Sequence, residues 1–221
     1  MSPELLTLIG WATLDTLTMV GISILVGTLV GLPLGVFLAV SRENELFPAP
    51  FANRTVGFIV NATRSTPFII LVVAIVPLTR LLTGTSIGTR AAVVPLTVAA
   101  IPFIARVVEA AVREVDHGLI EAARAFGASP LQIVRKVLLP EAMPAIVLAL
   151  TLTVVSLIGF SAMVGAVGGG GLGDLGIRYG YQRFMPDVMA IVVIVLIVLV
   201  QGVQTLGERL ARRLDKRVRP S

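Results

Sequence analysis

Residues 171 to 176, GLGDLG, carry the G-x-G-x-x-G spacing with which a dinucleotide-binding turn brings its backbone against a pyrophosphate. Just upstream, GFSAM at 159 to 163 places Ser161 after a glycine, where a nearby general base would make a nucleophile of its hydroxyl. The bases on offer are the single histidine, His117, and Lys136. There are no cysteines, so thiolate catalysis, disulfides and cysteine-ligated metals are excluded. Whether the glycines or the serine do chemistry depends on the elements that hold them.

Those elements are apolar. The 221-residue chain is 56% hydrophobic and 14% charged, with a mean hydropathy of +0.95, against roughly 25% charged residues in a soluble domain. Uncharged stretches at 16 to 40 and 188 to 207 are long enough to cross a bilayer as helices, and 142 to 173 exceeds one span. Shorter uncharged runs at 65 to 79 and 91 to 105 are bounded by Arg64, Arg80, Arg90 and Arg106, whose stems can snorkel to the interface. The pattern predicts an all-α, polytopic membrane protein, one transmembrane domain over 1–221 with five spans near 14–40, 58–80, 90–110, 142–166 and 186–207. The first span lacks a basic leader and a small-residue cleavage site, and its apolar run is too long for a secretory signal, so it reads as a membrane helix.

Charge sets the orientation. With the N-terminus outside, Arg80, Arg90, Arg178 and Arg183 face outward and the other 14 of the 18 Lys and Arg residues face the cytoplasm, in the loops 41 to 64 and 106 to 141 and the tail from 208. The net charge of +5 is thereby accounted for by the lipid bilayer, and no nucleic-acid partner is expected. The nucleotide reading fails on context: the fingerprint needs a preceding strand in a βαβ unit, and here a membrane span precedes it. The serine reading fails on distance, since His117 and Lys136 fall in the inner loop while Ser161 lies toward the outer face. An intramembrane serine protease is therefore disfavoured.

The long polar segment between the third and fourth spans, 113 to 140, reads REVDHGLIEAARAFGASPLQIVRKVLLP. Leu119, Ala122, Ala123 and Phe126 fall on one face of a short helix. Gly127 suits the left-handed residue that ends it. Ser129 is a candidate N-cap, Pro130 fits the first helical position, and Gln132 completes a capping box. In the second helix Leu131, Val134, Val137 and Leu138 are expected to share a face while Arg135 and Lys136 point elsewhere, with Pro140 ending the segment. Such a pair is either a brace or a surface that docks into a partner.

The residue identities add to this. Glu121, Ala122 and Ala123, then Gly127, then Val137, Leu139 and Pro140 resemble the signature loop of ABC importer permeases, with Val137 where that family usually has isoleucine. Further stretches resemble the permeases of methionine importers: RSTPFIILVVAIVPLTRLLTGTSIG at 64 to 88, VVPLTVAAIPFIARVVE at 93 to 109, IVRKVLLPEAMP at 133 to 144 and SAMVGAVGGGGLGDLGIRYGY at 161 to 181. Permeases for other polar amino acids share the Arg-x-x-Pro start of the second span, Arg64 to Pro67, and are the alternative. A passive channel would have no use for the loop signature. The resemblance implies a coupling helix seated in a separate ATP-hydrolysing subunit, two copies of that subunit, a second copy of this chain, and an extracytoplasmic substrate-binding protein. It also implies no cofactor on this chain, ATP and Mg being held by the partner ATPase, and no catalytic or metal-binding residue here.

Four residues are candidates for the translocation path. Met163, in the small-residue run SAMVGAVG, has a flexible thioether that suits a gate, although an ordinary packing methionine has the same surroundings. Ser161 adjoins it. Gly169 and Gly171 are expected in a gate-supporting turn or, more plainly, a tight loop between the fourth and fifth spans. Arg64, at the head of the second span, reads as a snorkelling arginine rather than as a partner for a substrate carboxylate.

Overall fold

The computed structural model describes residues 3–215. Lys216, Arg217 and Arg219, counted above on the inner side, lie outside the described residues. Within them the chain is all-α: α1 (Pro3–Val40), α2 (Pro50–Ser65), α3 (Phe68–Ala74), α4 (Val76–Thr83), α5 (Thr89–Arg113), α6 (His117–Ala125), α7 (Pro130–Ile133), α8 (Leu139–Ala166), α9 (Gly171–Leu175) and α10 (Pro186–Leu214). π-Helical turns follow α7 at Val134–Leu138 and α9 at Gly176–Gln182.

Helix α5 is the centre. Leu96, Ile104, Ala105 and Val108 are fully buried along it, and α1 and α8 pack on either side. The contact with α1 is made by Gly27, Gly31 and Gly35, four residues apart and so on one helix face. A Cβ added at Gly35 would lie 2.5 Å from the Ala105 carbonyl oxygen, and one at Gly31 would lie 2.8 Å from that of Ile101. Only hydrogen side chains let the two backbones approach this closely, which is how helices associate where lipid supplies no hydrophobic drive. Helix α10 packs on α8 while Val193, Ile194, Ile197 and Val198 remain exposed, as suits a helix whose outer side meets other apolar surface.

Four helices are long and apolar enough to cross a membrane: α1, α5, the continuous run Pro130–Ala166, and α10. The second span differs from expectation. It is not one helix over 58–80: α2 and α3 are bent by 103° at Thr66 and Pro67, and α4 follows as a further short piece. Pro67 has no N–H to donate and disfavours a helical residue before it, and Thr66 is accordingly extended at φ −79, ψ 125. Pro77, in the first turn of α4, sits where a missing N–H costs nothing.

Pro140 also behaves differently from expectation. It does not end the inner segment; α7, the π turn and α8 form one continuous run. The ring of Pro140 would press on the Lys136 carbonyl in a regular α-helix, and the wider π turn lies across this point, with the Leu139 N–H reaching back five residues to Val134 O. The extra residue in the turn rotates the apolar face. Ile133, Val134 and Leu138 are buried, Val137 is half-buried, and Leu131, expected beside Val134, is exposed.

Candidate functional site

The loop between α5 and α8 is built from its caps outward. Asp116 opens α6 by accepting from the Gly118 N–H at 2.7 Å, a cap visible in the sequence as an aspartate before a helical run. The helix closes in a Schellman turn: Gly127 takes φ +76, its N–H donates to Arg124 O at 2.9 Å, and the Ala128 N–H donates to Ala123 O at 3.0 Å. Ser129 and Gln132 then form the capping box at the start of α7, with the Ser129 N–H donating to Gln132 Oε1 at 2.9 Å. Every turn between α6 and α8 is thus held by local hydrogen bonds.

What that frame presents is apolar surface in the open. On α6 only Ile120 is buried against the core. Phe126 is 92% exposed and Leu119 42% exposed, Glu121 and Ala122 are exposed between them, and Ala123 is half-buried. Leu139 is half-buried and Pro140 exposed at the root of α8. Phe126, Leu119 and Ala122 together leave an exposed apolar strip along one side of α6 and its C-cap.

Behind the loop, an ionic cluster escaped the sequence reading. Glu109 is buried at 4% exposure near the end of α5. Its Oε1 accepts from Arg42 at 2.8 Å and its Oε2 from Arg106 at 2.5 Å. Arg106 donates further to Asn61 Oδ1 and to Gly57 O, both at 3.0 Å, and Asn53 donates to Leu38 O and Ser41 Oγ. These bonds tie α1 and α2 to α5 beside the site. No local spacing connects Arg42 to Glu109, which is why the pair could not be read ahead of the fold.

The glycine-rich stretch forms a turn that joins the end of α8 and the start of α5 to the side of α1. Gly168, Gly170 and Gly171 have positive φ. The Gly169 N–H donates to Val164 O of α8 at 2.9 Å, the Gly88 N–H before α5 donates to Gly168 O at 2.8 Å, and the Leu172 N–H donates to Thr16 Oγ of α1 at 2.9 Å. A Cβ at Gly171 would lie 2.7 Å from Thr16 Oγ. Asp174 pairs with Arg178 one turn on. Beside this turn Met163 is 49% exposed near the end of α8, while Ser161 is buried and donates its hydroxyl proton to Ile158 O at 2.7 Å. The Ser161 hydroxyl is therefore engaged with its own helix. Among the described residues no group of three or more His, Asp or Glu side chains is arranged to hold a metal ion.

Among the described residues the chain is a set of membrane-length helices with exposed apolar residues on the loop between α5 and α8, and it has no βαβ unit to carry a dinucleotide-binding turn. The chain belongs to the family of binding-protein-dependent transport system inner membrane components, whose match spans residues 31–220. It is a membrane-embedded permease component. It is 54% identical over 206 residues to the probable D-methionine transport system permease protein MetI of Vibrio cholerae, covering 93% of this chain and 92% of that protein. The D-methionine transport system permease protein MetI of Escherichia coli K12 is 53% identical over 165 residues, 75% of this chain and 76% of its own. Among solved structures, an inward-facing conformation of the MetNI methionine ABC transporter matches with a TM-score of 0.95 at 50% identity, over 98% of this chain and 100% of that one.

Proposed function

We propose that this chain is the permease of an ATP-driven importer that carries methionine, of either hand, across the cytoplasmic membrane. Two copies form the path, two ATPase subunits dock beneath on the α6–α7 loops, and an extracytoplasmic binding protein delivers substrate from above. The N-terminus then lies outside, with the loop and the C-terminal tail in the cytoplasm. ATP and Mg belong to the ATPase subunits, and their binding biases an alternating-access equilibrium felt here through Glu121 to Gly127. At the other end, Met163 gates the path and the turn at Gly169 and Gly171 supports it.

The observation that carries this reading is the open face of α6, with Phe126 92% exposed on a helix capped at both ends. Burying such a ring in a partner's cleft contributes about 2 kcal/mol from area alone, and the caps mean little ordering cost is incurred on docking. Phe126→Ala should therefore weaken co-purification of the ATPase subunit by about tenfold or more, with little change in the melting temperature of the permease itself. Gly127→Val, forced into a left-handed position, should uncouple ATP hydrolysis from uptake. Wild-type retention of the ATPase in Phe126→Ala together with fully coupled uptake in Gly127→Val would show that this loop is not the docking site.

A further inference from the structure

The break in the second span opens onto a cavity of about 290 Å³ whose lining includes Arg64, Thr66, Phe68, Leu71, Phe103 and Phe160. The guanidinium of Arg64 lies 5.6 Å from the centre of the Phe103 ring. Arg64 stands exposed in the last turn of α2, just before the break, and reaches the face of Phe103, which lies one turn before Arg106 on α5.

Its partners make the point sharper. Arg106, one turn along α5 from Phe103, spends its donors on Glu109, Asn61 and Gly57. Arg64 forms no ion pair among the described residues, and the Phe103 ring is its recorded contact. A guanidinium that lines an open cavity without an ion-pair partner can receive a carboxylate there. A break within a membrane helix is tolerated where it lines such a cavity. The two observations are independent and fall at the same place. Opposite the charge, Phe68 and Phe160 stack with centroids 4.4 Å apart, an apolar wall of the kind that favours a thioether or aliphatic chain. Thr66 donates its proton to Ala62 O and keeps its lone pairs for an ammonium.

The geometry points to this cavity as a passage site for an α-amino acid with an apolar side chain, its carboxylate held by Arg64 and its side chain against Phe68 and Phe160. The assignment rests on the transport reading above and adds to it a place within the membrane where substrate pauses. A two-point charge-assisted contact binds a carboxylate in one orientation, so the site would select for a free carboxylate independently of the binding protein.

The test uses the complete transporter, with permease, ATPase and binding protein in nanodiscs, and a diazirine analogue of methionine as photoprobe. Wild type should be labelled on peptides carrying Phe68, Phe103 or Phe160, with label displaced by methionine but not by methionine amide, which lacks the carboxylate. Arg64→Gln should reduce that label by about tenfold or more while ATPase subunits remain bound, Arg64→Lys should restore part of it, and Phe160→Ala should reduce it with the charge intact. Label elsewhere in the chain, displacement by the amide, or label unchanged in both Arg64→Gln and Phe160→Ala would overturn the assignment. Failure of Arg64→Gln to assemble, with Phe160→Ala labelled as wild type, would mark Arg64 as a structural charge and overturn it as well. A wild-type transporter that takes up no methionine would instead count against the transport reading.

Discussion

Glu109 illustrates how one side chain can decide the inner architecture. It is a carboxylate at 4% exposure with a guanidinium on each oxygen. Replacing it with glutamine removes the charge and leaves Arg42 and Arg106 facing each other across the gap. Breaking a buried pair costs about 3–5 kcal/mol, but the Arg42 side chain is 40% exposed, so solvent recovers part of that. Glu109→Gln should destabilise the purified permease by about 2 kcal/mol, read as a fall in its melting temperature in detergent. An unchanged melting temperature would mean that the cluster adds nothing to the packing of α1 and α2 on α5. Glu121, by contrast, is exposed, and its replacement should act on the partner rather than on this fold. Glutamates of the same type on neighbouring helices thus have different consequences because burial differs.

At the scale of elements, local chemistry was legible and long-range geometry was not. The inner loop could be read closely because each of its features is a short-range rule: Gly127 at positive φ, Ser129 and Gln132 in a capping box, Pro130 in the first turn. The five apolar stretches were visible for the same reason. The bend at Thr66–Pro67 was missed because a proline within an apolar run signals a kink without saying how large, and here it is 103°. The π turn before Pro140 leaves no mark in the sequence, because a one-residue change of pitch has no composition signal. The glycine turn was located, but its role as the junction of α1, α5 and α8 needed coordinates. Gly171→Val should introduce about 1–3 kcal/mol of backbone strain and a clash with Thr16. It should lower uptake sharply while the ATPase subunit stays bound. Uptake at the wild-type rate would show that the outer turn bears no load in the transport cycle.

The whole molecule is asymmetric between two ends. One end carries an exposed, capped helix pair and an ionic cluster that ties α1 and α2 to α5; the other carries a glycine junction with Met163 beside it. A broken span and an aromatic cavity with an uncommitted arginine lie between them. Helices α5 and α8 pack on each other between the two ends, and the proposed function requires that docking at one end shift their positions at the other. Nothing in it calls for bond-making by this chain. The GLGDLG stretch that suggests a nucleotide turn is a membrane-helix junction, and under the proposed function ATP is bound by a different subunit. The most direct test is uptake of radiolabelled methionine into proteoliposomes holding the permease and its ATPase, with ATP inside and the binding protein outside. The account predicts accumulation against a gradient that needs ATP, the ATPase and the binding protein together. Equal uptake with the ATPase or ATP left out, or steady ATP hydrolysis with no methionine accumulated, would contradict it.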